Sequence, residues 1–146
     1  MQKLDRMIWF KTYTIEDLKK RSKDSMSDFL EIEFLEIGPD FLKAKMPVIN
    51  KTKQPYGFLH GGASVVLAET LGSICSMMSI DTNQFNIVGL EINANHIRGV
   101  KEGFVYANCT PIHIGKSTHV WNIHIEDEAQ KTVCVSRLTV MILNKK

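Results

Sequence analysis

Residues 56–73 read YGFLHGGASVVLAETLGS, and this stretch decides the fold. A double glycine, Gly61-Gly62, opens an apolar run that continues through Ile74, Cys75, Met77, Met78 and Ile80. Apolar residues fall on every side of it, so as a helix it is expected to be buried all round. Between Lys53 and Asp81 the only formal charge is Glu69. A carboxylate inside a buried helix is costly unless it is paired or used. Glu69 is therefore the first candidate for chemistry. Gly62 lies seven residues before it, two turns back on nearly the same face and about 10 Å away along the axis. No Ser, Thr, Asp or Asn caps the helix start at His60, Gly61 and Gly62, which leaves the first amide N–H groups free for an oxygen bearing negative charge. One helix does not bring both ends of that interval to a single carbonyl. Two antiparallel copies around a two-fold axis do, so the spacing predicts a dimer with shared sites.

Outward from the helix the chain reads as strands. Residues 31–37 alternate imperfectly, and Gly38-Pro39-Asp40 forms a turn. Leu42, Ala44, Met46 and Val48 alternate with Lys43, Lys45 and Pro47 as a half-exposed strand. After a loop at 81–86, Val88, Leu90, Ile92 and Ala94 are expected on one strand face, with His96 carried onto it. Further strands follow over 103–110, 117–126 and 132–143. At the front, Thr14 is placed to cap a short helix with Glu16 and Asp17 in its first turn, and 25–28 forms a second short turn or helix. Consecutive strands without intervening helices predict an antiparallel α+β sheet, curved to wrap its one long helix. Residues 1–28 then form an N-terminal extension with a short helix packed on a domain of residues 29–146.

Composition narrows the functional classes. A chain of 146 residues with net charge +2 has no concentrated basic stripe for nucleic acid. The long apolar run is interrupted by Gly and Glu and reads as interior, with no membrane span expected. No secretory signal pattern opens the chain. Cys75, Cys109 and Cys134 are odd in number and lack Cys-x-x-Cys spacing, so neither disulfides nor a metal site is expected, and a reducing cytoplasm follows.

His60-Gly61-Gly62, Leu67-Ala68-Glu69-Thr70 and Gly72-Ser73 resemble the signature of hotdog-fold acyl-CoA thioesterases of the PaaI-like family. The likeness is greatest to the branch containing an enterobactin-pathway proofreading thioesterase and a 1,4-dihydroxy-2-naphthoyl-CoA thioesterase. It runs from about Met7 and takes in Met7-Ile8-Trp9, Gln54-Pro55, Val88-Gly89, Asn93-Ala94, His96, Arg98 and Gly115. The resemblance implies a hotdog fold, a homodimer with joined sheets, and a dimer of dimers. Hydrolysis of an aryl- or acyl-CoA, or of the same thioester on an acyl carrier protein, is the implied activity, with no cofactor beyond the coenzyme A of the substrate.

A thioester needs an activated oxygen and a cradle for its oxyanion. Glu69 serves as base or as nucleophile, and both routes stay open. The Gly62 amide is the expected oxyanion donor, and Gly61 beside it is expected to bind substrate. His60 either donates to the same oxygen or caps the turn. Gln54, by resemblance, donates to the thioester carbonyl. Ser73, one turn past Glu69, holds the carboxylate or the water, or else bonds back to the Glu69 carbonyl. By resemblance His96 meets the hydroxyls of an aromatic acyl group. Met77 and Met78 either line an adaptable acyl pocket or pack in the core. Alternatives on the same fold are a CoA-thioester hydratase or dehydratase and a non-catalytic acyl-CoA-binding protein. The spacing from His-Gly-Gly to Glu argues against the first, and Glu69 with Ser73 against the second.

Overall fold

In a computed structural model that describes residues 6–146, one six-stranded antiparallel sheet wraps one long helix. The first five residues of the N-terminal extension lie outside the described residues. Two short helices come first, α1 (Ile15–Ser22) and α2 (Met26–Phe29), then strands β1 (Glu33–Ile37) and β2 (Leu42–Pro47). A 3₁₀ turn at Asn50–Thr52 leads to helix α3 (Gly61–Met78). Strands β3 (Phe85–His96), β4 (Phe104–Ile114), β5 (Thr118–Glu126) and β6 (Thr132–Asn144) complete the sheet in the order β1-β2-β4-β5-β6-β3. This is the hotdog arrangement.

The local rules hold where they were strongest. Thr14 caps α1 reciprocally: the Asp17 amide donates to Thr14 Oγ1 at 3.2 Å and the Thr14 amide to Asp17 Oδ2 at 2.9 Å. In α3, Leu67, Leu71, Cys75 and Met78 are fully buried against Trp121, Ile123, Ile125 and Leu138 of the sheet. Gly72 sets that distance, because a Cβ there would lie 2.5 Å from Leu138 Cδ2. The extension is pinned by Trp9, which stacks on Trp121 at 6.5 Å and donates its indole N–H to the Gly38 carbonyl at 2.7 Å. By length and composition α3 could cross a membrane, but here the sheet wraps it.

Two expectations are corrected. α3 is not buried all round: Gly62 and Glu69 are exposed and Val65, Thr70 and Ser73 only half-buried, a continuous stripe that the sheet leaves open. The reason is geometric, since a sheet covers only the helix face turned towards it. The phase of β3 also breaks. Val88 pairs with Met141 and Gly89 with Val140, but Glu91 pairs with Thr139, so Leu90 is an extra residue in a bulge. Inward residues are therefore Ile87 before the bulge and Ile92 and Ala94 after it, while Val88 and Leu90 face out, 42% and 52% exposed. β3 ends the sheet, so no described strand covers its outer edge.

Candidate active site

The helix start is more occupied than its composition suggests. His60 is the N-cap, and its ring Nδ1 accepts the Gly62 N–H at 2.8 Å. The His60 carbonyl takes the Ala63 and Ser64 amides at 2.9 and 3.3 Å, and its own N–H donates to the Thr52 carbonyl at 2.8 Å. The expectation of an uncapped start with a free Gly62 amide is thus corrected: an imidazole nitrogen does the work usually given to Ser or Asp. The first amide without an acceptor among the described residues is that of Gly61. Gly61 also faces the His96 ring, where a Cβ would come within 2.8 Å of Nε2. Glycine there lets the histidine at the end of β3 lie over the helix N-terminus.

Gln54, Gly61 and His96 line one cleft of about 540 Å³, with Phe58, Leu59, Ile97 and Val133 as its apolar wall and Arg98 at its side. A tight turn holds Gln54: its N–H donates to the Phe58 carbonyl at 2.8 Å, and its carbonyl accepts the Gly57 N–H at 2.9 Å. Gly57 has φ +87°, a left-handed conformation suited to glycine. The Gln54 side-chain oxygen accepts the Tyr56 N–H. That contact leaves the amide's two N–H donors for a ligand.

Glu69 and Ser73 line a different hollow of about 320 Å³, walled on its other side by Arg21 and Ser22 of α1, Ser25 of the turn and Ser27 of α2. Glu69 forms no ion pair with any described residue. Its carboxylate lies beside the β3 bulge, where a Cβ on Gly89 would be 3.1 Å from Oε1. Ser73 makes no bond back to the Glu69 carbonyl, unlike Ser79, whose hydroxyl donates to the Cys75 carbonyl at 2.8 Å. Its hydroxyl is available.

The anticipated residues thus fall into two groups on one chain, Gln54, His60, Gly61 and His96 at the helix start and Glu69 with Ser73 two turns on. Gly62 belongs to the first group as a cap partner. Met77 joins neither; it is 6% exposed and lines a separate hollow with Tyr13 and Leu18. Among the described residues no cluster of three or more His, Cys, Asp or Glu is placed to hold a metal ion. Gly89 enters the sequence reading only through the family resemblance, although an isolated glycine inside a strand pattern itself signals a bulge or a close approach. Arg21 had no signal, since its position across the hollow depends on how α1 docks.

Residues 56–134 match the thioesterase superfamily. The chain is 50% identical over 137 residues to the 1,4-dihydroxy-2-naphthoyl-CoA hydrolase of Escherichia coli K12, covering 94% of this chain and 100% of that protein. It is 42% identical to a proofreading thioesterase of Cronobacter turicensis, over 94% of this chain and 99% of the other. Among solved structures, a mutant thioesterase from Pseudomonas aeruginosa superposes with a TM-score of 0.93 at 45% identity, covering 94% of this chain and 99% of that one.

Proposed function

The chain belongs to the thioesterase superfamily, and from that premise we propose how its own residues hydrolyse a CoA thioester. The carbonyl oxygen sits in the first cleft, which Gln54 and Gly61 both line, and accepts from the Gly61 N–H and the Gln54 side-chain N–H. Donors held in place for the developing oxyanion are the main source of rate in such a reaction. Glu69 takes the proton of a water that adds to the carbonyl carbon, and Ser73 holds that water or the carboxylate. The carbon–sulfur bond then breaks, the carboxylic acid forms, and the thiolate receives a proton. Direct attack by Glu69, followed by hydrolysis of the anhydride, uses the same groups. His60 keeps the helix start in shape through its ring cap, and His96 contacts the acyl group. Coenzyme A arrives as part of the substrate, and no cofactor is required. A carrier protein would present the same pantetheine arm.

One observation carries this reading. The oxyanion donors and the carboxylate face separate hollows, eight residues apart from Gly61 to Glu69. That is about 12 Å along a helix at 1.5 Å per residue. A partner chain antiparallel to the first closes the gap, so each site takes Glu69 and Ser73 from one chain and Gln54, His60 and Gly61 from the other. The uncovered edge of β3 and its outward Val88 and Leu90 support that pairing, because a long apolar edge favours another strand. Two such dimers would form the tetramer. Three unpaired, buried cysteines suit a reducing cytoplasm.

The substrate is an aromatic acyl-CoA, because His96 offers a polar contact and the cleft an apolar wall that an acetyl group cannot use. Free-thiol release is measured across acetyl-, hexanoyl-, benzoyl-, hydroxybenzoyl- and hydroxynaphthoyl-CoA. The aromatic esters should exceed acetyl-CoA in kcat/KM by on the order of tenfold or more. Preference for acetyl-CoA removes the aromatic assignment, and no release from any ester overturns the catalytic one.

A further inference from the structure

We infer that Arg21, with Ser22, selects the acyl group by binding an acceptor oxygen that it carries away from the thioester. The inference rests on Glu69 acting at the thioester, as proposed above. It begins from the chemistry of the hollow in which Glu69 stands. Of the eight residues lining it, only Ile74 is apolar; the others are Arg21, Ser22, Ser25, Ser27, Glu69, Thr70 and Ser73. The cleft at Gln54 instead mixes Gln54, Ser64, His96 and Arg98 with the apolar side chains of Phe58, Leu59, Ile97 and Val133. An aliphatic acyl chain entering the Glu69 hollow would strip water from hydroxyls and a cation and give nothing back. A phenolic or carboxylate oxygen would replace that water.

The wall is built to stay in place. The Ser25 hydroxyl donates to the Ser22 carbonyl, caps α2, and shares a 2.8 Å hydrogen bond with Ser27 Oγ. The Asp24 amide donates to Asp28 Oδ2 at 3.0 Å, holding Asp24 at φ 60°. Ser25 is thereby spent on the turn. Ser22 Oγ has no described partner, whereas the Ser27 hydroxyl hydrogen is spent on Ser25 Oγ, because the Ser25 hydrogen goes to the Ser22 carbonyl. Arg21 forms no ion pair with any described carboxylate. Lys19, Lys20 and Arg21 all lie in the last turn of α1, where any cation complements the helix dipole. Only Arg21 of the three lines the hollow with Glu69. A guanidinium presents several fixed donors and is the side chain suited to a phenolate or carboxylate oxygen.

The test compares benzoyl-, hydroxybenzoyl- and carboxybenzoyl-CoA on the wild type, Arg21→Ala, Arg21→Lys and Lys19→Ala. The readout is the ratio of kcat/KM for each substituted ester to that for benzoyl-CoA. Arg21→Ala should lower at least one ratio by about tenfold, the loss expected when a charge-assisted contact to the substituent goes unmade. Arg21→Lys should recover part of it, and Lys19→Ala should leave the ratios at wild-type values. The ester that responds most identifies the oxygen as phenolic or carboxylate. Unchanged ratios in Arg21→Ala overturn the inference. So does an equal loss on all esters with a displaced acid limb of the pH–rate profile, since Arg21 would then act on Glu69. If the wild type releases no thiol from any ester, the thioesterase reading has failed instead.

Discussion

Two serines on α3 stand less than one turn apart and meet opposite environments. Ser76 is fully buried; its Oγ accepts the Trp121 indole N–H at 2.7 Å and lies 3.0 Å from His119 Nδ1. With the indole hydrogen pointing in, the Ser76 hydroxyl hydrogen is left for His119, so the three side chains close on one another. Ser73 lies on the open stripe beside Glu69, and neither side chain is tied into such a network. Fully satisfied polar groups in a core hold a fold together, and unsatisfied ones at a surface hollow are ready for something else. The same helix carries a closed polar cluster and an open one, told apart by their hydrogen bonds and burial.

The largest effect should come from the open cluster. Glu69→Gln keeps the volume but removes the base, and thiol release should fall on the order of 10³-fold. Its Tm should stay within about 2 °C of wild type, because an exposed side chain without an ion pair contributes little to stability. Near-normal turnover in the purified variant would remove Glu69 from the chemistry. The closed cluster should behave in reverse. Ser76→Ala leaves the Trp121 and His119 nitrogens without a partner, a loss of about 1–3 kcal/mol. Denaturant titration should show it, while kcat of the folded fraction stays within about twofold of wild type. A stability change below about 0.5 kcal/mol would mean that the cluster is not structural.

The smallest effect is a pH dependence. Burial pushes the pKa of His119 down; a backbone hydrogen bond with Gly115 opposes this, and His113 nearby adds to it. The folded value therefore lies below the unfolded one, near 6.5, and the unfolded chain binds the proton first. The stability contributed by neutral His119 is fully present above that pH and is lost as pH falls through it. The slope is at most about 1.4 kcal/mol per pH unit. Asp17, lowered by its hydrogen bonds to Thr14, acts in the same direction but below its ordinary value of 3.8, a separate window. Denaturant titrations from about pH 8 to about pH 5 should show a shallower slope for His119→Asn than for wild type. Equal slopes would assign the dependence to other groups.

Much of this was legible in the residues. The span of α3, the Thr14 cap, the alternation of β2 and the antiparallel sheet follow from local rules that tertiary contacts did not override. Glu69 stood out because no other charge interrupts the run. What stayed hidden depends on long-range placement. A period-two reading of residues 88–94 put Val88 and Leu90 inside, and one inserted residue at the Gly89–Glu91 bulge turned them out. Of the two roles open to His60, the ring takes the cap, and a cap rule limited to short oxygen side chains left the Gly62 amide counted as free. An apolar helix read as buried on all sides gave no hint of the stripe, since one chain's sheet covers only part of it. That Arg21 shares a hollow with Glu69 is set by the docking of α1, which no spacing records.

Whether the open stripe is completed by a second copy is tested most directly by mixing two inactive variants, Glu69→Gln and Gln54→Ala. In a hybrid dimer with shared sites, one site carries both lesions and the other neither. Co-expressed or refolded mixtures should then recover up to about half the normal activity per hybrid dimer. If each chain builds its own site, every site keeps one lesion. No recovery, with subunit exchange shown by mass spectrometry and each parent confirmed inactive, would contradict the shared site.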